Sequence, residues 1–240
     1  MEKEGYFLLI PFFLNAVTAI FLFLRGKRAY QRINKAFAMW VICVCFWDLQ
    51  FITETVNGSD DLLKFLFRFS FLGEWIAPSV FLYFVYCFTH EKLNKRKYFL
   101  LILPPIVFVT LIVADMSGFK VIISTLRYSA YGCGGRSVVF VIHTFLAWLV
   151  YFVIYSLWGA GLLIAHLWRT TIAIRMRSMR NLILQSNFLL AVAGVLIFIL
   201  GLTFDIVAPI FGVRIFQFSS ITTLIMIALM GWLLYRVERE

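Results

Sequence analysis

Long apolar stretches separated by short polar segments are the feature that most constrains this chain. A transmembrane helix needs about 20 predominantly apolar residues to cross a hydrocarbon core about 30 Å thick. The 240-residue sequence contains seven stretches of this kind. We therefore predict an all-α integral membrane protein, in which residues 1–240 form one domain built as a seven-transmembrane helix bundle. The predicted spans are residues 6–24, 36–53, 66–88, 98–114, 138–168, 182–210 and 216–235.

The composition excludes several classes of protein. Hydrophobic residues make up 62% of the chain and charged residues 14%, whereas a soluble domain is about half apolar and about a quarter charged. Because spans and short loops use nearly every residue, we expect no kinase, cyclase or protease domain within this sequence. The net charge of +10 is interpreted as basic loops held against anionic lipid rather than as a nucleic-acid surface. The acidic start of the chain argues against a cleavable signal peptide.

The distribution of Lys and Arg predicts the orientation, because cytoplasmic loops are enriched in these residues. Of the 22 Lys and Arg residues, 15 lie in the segments after the first, third, fifth and seventh spans. The N-terminus is therefore predicted outside and the C-terminus in the cytoplasm. The residues on the richer side are Arg25, Lys27, Arg28, Arg32, Lys35, Lys92, Lys95, Arg96, Lys97, Arg169, Arg175, Arg177, Arg180, Arg236 and Arg239.

The four cysteines do not indicate a disulfide framework. Cys43, Cys45 and Cys87 lie within apolar stretches, where cysteine usually behaves as a small hydrophobic residue. Cys133 lies in the predicted outer loop without an obvious partner. The sequence has no CxxC or HxxxH spacing, so no metal and no cofactor are expected.

Residues 115–137 form the only long outer loop. Residues 120–125 and 127–131 have strand-like composition, and Gly132, Gly134 and Gly135 provide turn flexibility. Two interpretations are open: a hairpin lid over the bundle, or an irregular loop on the lipid headgroups.

Ionisable residues inside predicted spans are costly, so each is a candidate functional residue. The candidates are Asp48, Arg68, Glu74, His143 and Asp205, and all five fall in the outer half of the membrane or near its outer edge. Six residues separate Arg68 from Glu74, which is about 600° of helix rotation. The two side chains should therefore not pair, and Asp48 is the predicted partner of Arg68.

These residues have a functional and a structural interpretation. In the first, they form the polar floor of an outward-facing ligand pocket, with Trp148 and Phe71 also among its lining residues. In the second, they make interhelical hydrogen bonds that fix packing, while the tryptophans form interfacial belts. The position of Asp205 shortly before Pro209 favours a structural role there. The candidate ligand-binding residues are Trp47, Asp48, Arg68, Glu74, Trp75, His143 and Asp205.

Known catalytic motifs of membrane proteins are missing from the sequence. The predicted seventh span has no lysine that could bind retinal as a Schiff base. There is also no GxSxG serine, no HExxH zinc motif and no P-loop. We therefore predict that this chain is not itself an enzyme.

Several segments together resemble one known family, and they are spread over almost the whole chain. The proline pair Pro104-Pro105 matches the start of that family's fourth helix, whereas Tyr83 stands where many members carry histidine. The other matching segments are Asn15, Asn34–Ala38 with Trp40 and Trp47, Pro78–Val85 and Thr203–Pro209. In their order and spacing they resemble the N-terminal seven-transmembrane sensor region of bacterial histidine kinases.

The resemblance implies a multi-pass sensor of the bacterial cytoplasmic (inner) membrane. Such a region binds a small-molecule or peptide ligand from outside or from the membrane. It passes a conformational signal to a cytoplasmic output domain, usually a histidine kinase, in cis or in trans. The implied partners are that ligand, the lipid bilayer, the kinase-type output domain and a second copy in a homodimer. Two alternatives stay open: a small-solute transporter, or a structural or assembly membrane protein.

The predicted seventh helix suggests a route for the signal. Trp232 and Tyr235 are placed where an inner interfacial anchor belongs. Residues 236–240 contain no Gly or Pro and favour continued helix. We expect a rigid lever that leads to the output domain, with a frayed tail as the alternative.

Overall fold

The computed structural model describes residues 9–24, 31–54, 59–128, 136–174, 223–229 and 231–232. In this part of the chain, five long helices run in sequence, with a two-stranded sheet between the fourth and the fifth. Residues 223–229 and 231–232 are also helical, within the predicted seventh span. The predicted sixth span, including Asp205, lies outside the described residues. The elements are α1 (Leu9–Leu24), α2 (Gln31–Glu54), α3 (Asp60–Phe88), α4 (Lys95–Met116), β1 (Ile123–Tyr128), β2 (Arg136–Phe140) and α5 (Ile142–Ile174).

Three of these helices are long and apolar enough to cross a membrane: α3, α4 and residues 142–166 of α5. The apolar helix α1 is shorter. The first four predicted spans are thus helical in their described parts, and the fifth is helical from Ile142 onward. Several helices begin earlier than the apolar stretches predicted, because polar residues cap their first turns.

Helices α3 and α4 show this capping directly. Ser59 accepts the backbone N–H of Leu62 at the start of α3, where two aspartates also favour the positive end of the helix dipole. Asn94 accepts the backbone N–H of Lys97 at 2.9 Å at the start of α4. Capping therefore extends both helices beyond their apolar segments.

Helix α3 is the central element, since it packs against α2, α4 and α5. Gly73 permits the close approach of α2. A Cβ atom at Gly73 would lie 2.2 Å from Cβ of Phe46 and 2.6 Å from the backbone oxygen of Cys43. Any larger residue would therefore push α2 away from α3.

The proline pair of α4 removes backbone donors inside the predicted span. Pro104 has no N–H group, so the carbonyl of Leu100 loses its usual intrahelical partner. The hydroxyl of Tyr155 on α5 donates a hydrogen bond to this carbonyl. A neighbouring helix thus replaces the lost donor, as a bundle in lipid requires.

The outer loop contains a β-hairpin, so the hairpin interpretation is confirmed for its strands. β1 and β2 pair antiparallel, with Ile123 opposite Phe140 and Tyr128 opposite Arg136. The predicted strand bounds were wrong, because residues 127–128 continue β1 instead of starting the second strand. The prediction of helix from residue 138 was also wrong, since residues 138–140 belong to β2 and α5 begins at Ile142. The β-branched pair Val138-Val139 and the aromatic Phe140 favour strand here over helix. The three turn glycines lie outside the described residues.

Candidate functional site

Short connections make successive helices from α1 to α4 antiparallel. The start of α5 lies beside the segment that follows α4, because Val141 and Thr144 donate hydrogen bonds to the carbonyls of Ile122 and Val121. The starts of α1, α3 and α5 therefore share one end of the bundle with the hairpin and with the ends of α2 and α4. We call this end the hairpin end. At the opposite end α1, α3 and α5 finish, and we call it the basic end because basic residues follow each of these helices in the sequence.

An ion pair at the hairpin end joins α3 to α4. Nε of Arg68 donates a hydrogen bond to Oδ2 of Asp115 at 2.7 Å. Oδ1 of Asp115 accepts the backbone N–H groups of Ile122 and Ile123, at 2.8 and 3.2 Å. Asp115 is completely buried. One carboxylate thus connects two helices to the start of the hairpin.

The predicted pairing of Arg68 with Asp48 was wrong. Nδ2 of Asn15 on α1 donates to Oδ2 of Asp48 at 2.8 Å, and both residues are buried. Asp48 thus links α2 to α1, whereas Arg68 turns towards α4. The sequence reasoning placed Asp115 in a loop and so missed it. The available signal was an acidic residue directly after an apolar stretch, where a last helical turn could still bury it.

Glu74 is the middle residue of the 29-residue helix α3. It is only 6% exposed, and its Oε2 has no hydrogen-bond partner in the described part of the chain. Pro78 follows four residues later and cannot donate to the backbone carbonyl of Glu74. This single position therefore presents a carboxylate oxygen and a carbonyl oxygen that both lack their usual donors. As predicted, Arg68 does not pair with Glu74.

A continuous series of aromatic contacts passes along this part of the bundle. Phe71 and Trp75 of α3 stack with centroids 5.8 Å apart, and Phe71 contacts Phe140 of β2 at 5.2 Å. The series continues through α5 and reaches Trp47 of α2 by the contacts Phe140–Phe145, Phe145–Trp148, Trp148–Phe152 and Phe152–Trp47. Residues i, i+3 and i+4 share a helix face, so Phe71 lies on the Glu74 side of α3. The hairpin and three helices are thus coupled through packed rings.

A small cavity of about 10 Å³ lies between α2, α3 and α5. Ala77 and Pro78 line it, and they are three and four residues after Glu74 on the same helix face. This volume holds about one water molecule. A larger ligand would require α2 and α5 to separate. The remaining lining residues are Trp40, Val44, Trp47, Phe81, Phe152 and Ser156.

The other candidate residues lie apart from this cavity or outside the described chain. Trp75 is buried in the core, where its ring contacts Phe108 of α4 edge-on at 4.9 Å. His143 is the second residue of α5 and is exposed at the hairpin end. Asp205 lies outside the described residues. Of the seven candidates, Trp47 lines this cavity, and Glu74 lies one helical turn before its lining residues Ala77 and Pro78 on α3. Asp48 and Arg68 make separate interhelical bonds.

Comparison with known proteins gives one match. Residues 7–238 match the family described as the N-terminal 7TM region of histidine kinase. No curated protein and no solved structure matched the chain significantly. The match spans nearly the whole sequence, including all the helices and both strands described above.

Proposed function

Because the chain belongs to the family of N-terminal seven-transmembrane regions of histidine kinases, we propose that it binds a ligand between the helices near Glu74 and signals inward. The region is the non-catalytic input, and a cytoplasmic histidine kinase is its output. The ligand is a small molecule or peptide that arrives from outside or from the membrane.

The proposed topology has seven spans in a bacterial inner membrane, with the hairpin end outside. It is supported by the sequence, because 15 of the 22 Lys and Arg residues follow the first, third, fifth and seventh predicted spans. The positive-inside tendency places such segments in the cytoplasm. In this orientation we propose that the hairpin lies over the outer end of the bundle as a lid.

The observation that most supports ligand binding is the unpartnered oxygen of buried Glu74. Burying a polar atom without a hydrogen bond costs free energy, so such an atom in a native protein calls for an explanation. A ligand that donates a hydrogen bond to Oε2 would relieve this cost. The aromatic residues Trp47 and Phe152, which line the small cavity between α2, α3 and α5, would bind the apolar part of the ligand.

The contacts of the hairpin suggest how binding reaches the rest of the bundle. A ligand that separates α2 from α5 would displace Phe152, and the aromatic series connects this residue to Phe140 in the hairpin. Asp115 then connects the hairpin to α3 and α4. We propose that the resulting rearrangement moves the seventh helix, which acts as a lever on the output domain.

Substitution of Glu74 tests the proposal. Wild type, Glu74→Gln and Asp61→Asn would be purified from cells and examined by native mass spectrometry for a bound small-molecule or peptide mass. Asp61 is the matched control, because it is an exposed carboxylate on the same helix. We expect a bound mass in wild type and Asp61→Asn that is lost in Glu74→Gln.

Kinase-dependent reporter output in cells should change in the same pattern. The amount of Glu74→Gln protein in the membrane must match wild type, which separates loss of binding from loss of folding. Equal retention of the bound mass and equal output in all three proteins would reject Glu74 as the binding residue.

A further inference from the structure

A second cavity, of about 470 Å³, lies at the basic end, far along the helices from Glu74. It is bordered by the start of α2, the last turn of α3 and the segment that leads into α4. Six of its lining residues are polar or charged: Arg32, Tyr86, His90, Glu91, Lys92 and Tyr98. Because helix ends border it, the cavity lies at the depth of the lipid headgroups.

Positive charge dominates the cavity lining. Arg32 and Lys92 each contribute a cation, and His90 contributes a further hydrogen-bonding ring. Glu91 is the one acidic lining residue in the described part of the chain. Its carboxylate lies 3.7 Å from Arg169 and 4.0 Å from Lys97, so its charge is already compensated. The cavity therefore favours an anion.

A buried hydroxyl without a partner borders the same cavity. Tyr86 is 1% exposed, and its hydroxyl has no hydrogen-bond partner in the described part of the chain. The ammonium group of Lys97 lies 4.9 Å from the centre of the Tyr86 ring, within the range of a cation–π interaction. Buried hydroxyl groups in native proteins normally have partners. A ligand in the cavity would supply the missing acceptor.

The backbone conformation of His90 is a third indication that this cavity is a binding site. Thr89 caps the C-terminus of α3, and His90 follows it. At this position helices often have a glycine in the left-handed backbone conformation. His90 has this conformation, with a φ angle of +54°, although it is not glycine. The strained conformation places a residue with a polar side chain at the cavity, and such strain is concentrated at functional sites.

We propose that this cavity binds a phosphate group. Arg32, Lys92, His90 and the hydroxyl of Tyr86 provide donors from α2, from α3 and from the segment between α3 and α4. Several donors from separate directions suit the tetrahedral oxygens of phosphate. The phosphate has two sources at this depth: the headgroup of an anionic phospholipid such as phosphatidylglycerol, or a soluble phosphate from the adjacent aqueous phase. Bound phosphate would connect α2 to the α3–α4 segment at the end of the bundle nearest the proposed output.

The test compares two double variants that remove the same charge from the same end of the bundle. Arg32→Gln with Lys92→Gln removes two lining cations, whereas Lys95→Gln with Arg96→Gln removes two exposed cations that do not line the cavity. The purified proteins would be titrated with phosphatidylglycerol, phosphatidylcholine and inorganic phosphate. Native mass spectrometry would count the bound molecules.

For the lining pair we expect affinity to fall about tenfold or more, because charge-assisted bonds are lost. For the exposed pair we expect little change. Stronger binding of phosphatidylglycerol than of phosphatidylcholine supports the lipid source, if inorganic phosphate does not compete with the lipid. Competition by inorganic phosphate supports the same site with a soluble source. Equal weakening by the two double variants, or no binding of either phosphate probe, would overturn the proposal.

Tyr86→Phe gives a test that does not depend on charge. The substitution removes only an oxygen that has no partner among the described residues, so thermal stability without probe should equal that of wild type. Binding of the phosphate probe should nevertheless weaken several-fold. Unchanged binding in Tyr86→Phe at wild-type stability would contradict a role for the hydroxyl and overturn the site as described.

Discussion

Arg68 of α3 and Asp115 of α4 form an ion pair at 2.7 Å, and Asp115 is completely buried. Since Asp115 also accepts two backbone N–H groups at the start of the hairpin, this pair connects the hairpin to the central helix. Loss of either partner should therefore disturb more of the structure than loss of a surface ion pair would.

We predict that Arg68→Gln destabilises the protein by about 3 kcal/mol, because it leaves a buried carboxylate without its counter-charge. The double variant Arg68→Gln with Asp115→Asn should recover part of this loss, since asparagine is neutral and its oxygen still accepts the backbone bonds. Thermal unfolding in detergent micelles, followed by circular dichroism, measures the effect. Lys64→Gln, one turn earlier on α3, controls for the change in net charge. A double variant no more stable than Arg68→Gln would contradict the prediction.

A second prediction concerns the hydroxyl of Tyr155, which replaces the donor that Pro104 lacks. Tyr155→Phe should destabilise the protein by about 1–3 kcal/mol, because the Leu100 carbonyl is left without a partner. In a Pro104→Ala background the cost should shrink, since an alanine at this position restores the intrahelical N–H donor. Pro105→Ala is the matched control, because its N–H would face the carbonyl of Leu101 instead. The measurement is a double-mutant cycle of unfolding free energies, and equal costs in both proline backgrounds would reject this account.

Two glycines on different helices give a third prediction. Gly73→Ala should destabilise the protein by about 1–3 kcal/mol, because the new methyl group overlaps Phe46 and the backbone of α2. Gly161→Ala meets no atom within 4 Å and should stabilise α5 by up to about 1 kcal/mol through helix propensity. Melting temperatures of the two variants in the same detergent measure the difference. Equal melting temperatures would show that α2 can move away from α3 at little cost.

The proposed orientation gives the fourth prediction. Cys43, Cys45 and Cys87 are buried, so Cys133 should react first with an impermeant thiol reagent. In intact spheroplasts, the reagent should label wild type but not Cys133→Ser, because the outer loop faces outward. Labelling that appears only after lysis would place this loop in the cytoplasm and reverse the topology.

The sequence by itself determined which of the described segments are mainly helical. The helical character of α3 or α4 depends on about 20 predominantly apolar residues, which is a local property that can be read directly from the sequence. The strand-like composition between Asp115 and α5 indicated a hairpin as one of two interpretations, and the pairing of β1 with β2 decided between them. Its exact strands were missed, because apolar residues 138–140 suit a buried strand as well as a helix.

Only the tertiary structure decided which polar groups meet. Asp48 pairs with Asn15, Arg68 pairs with Asp115, and Glu74 keeps an oxygen without a partner among the described residues. These outcomes depend on how far each helix is rotated and shifted relative to its neighbours. Rotation and shift are set by interhelical packing, such as the contact of Gly73 with Phe46, and a pattern within one segment does not contain them.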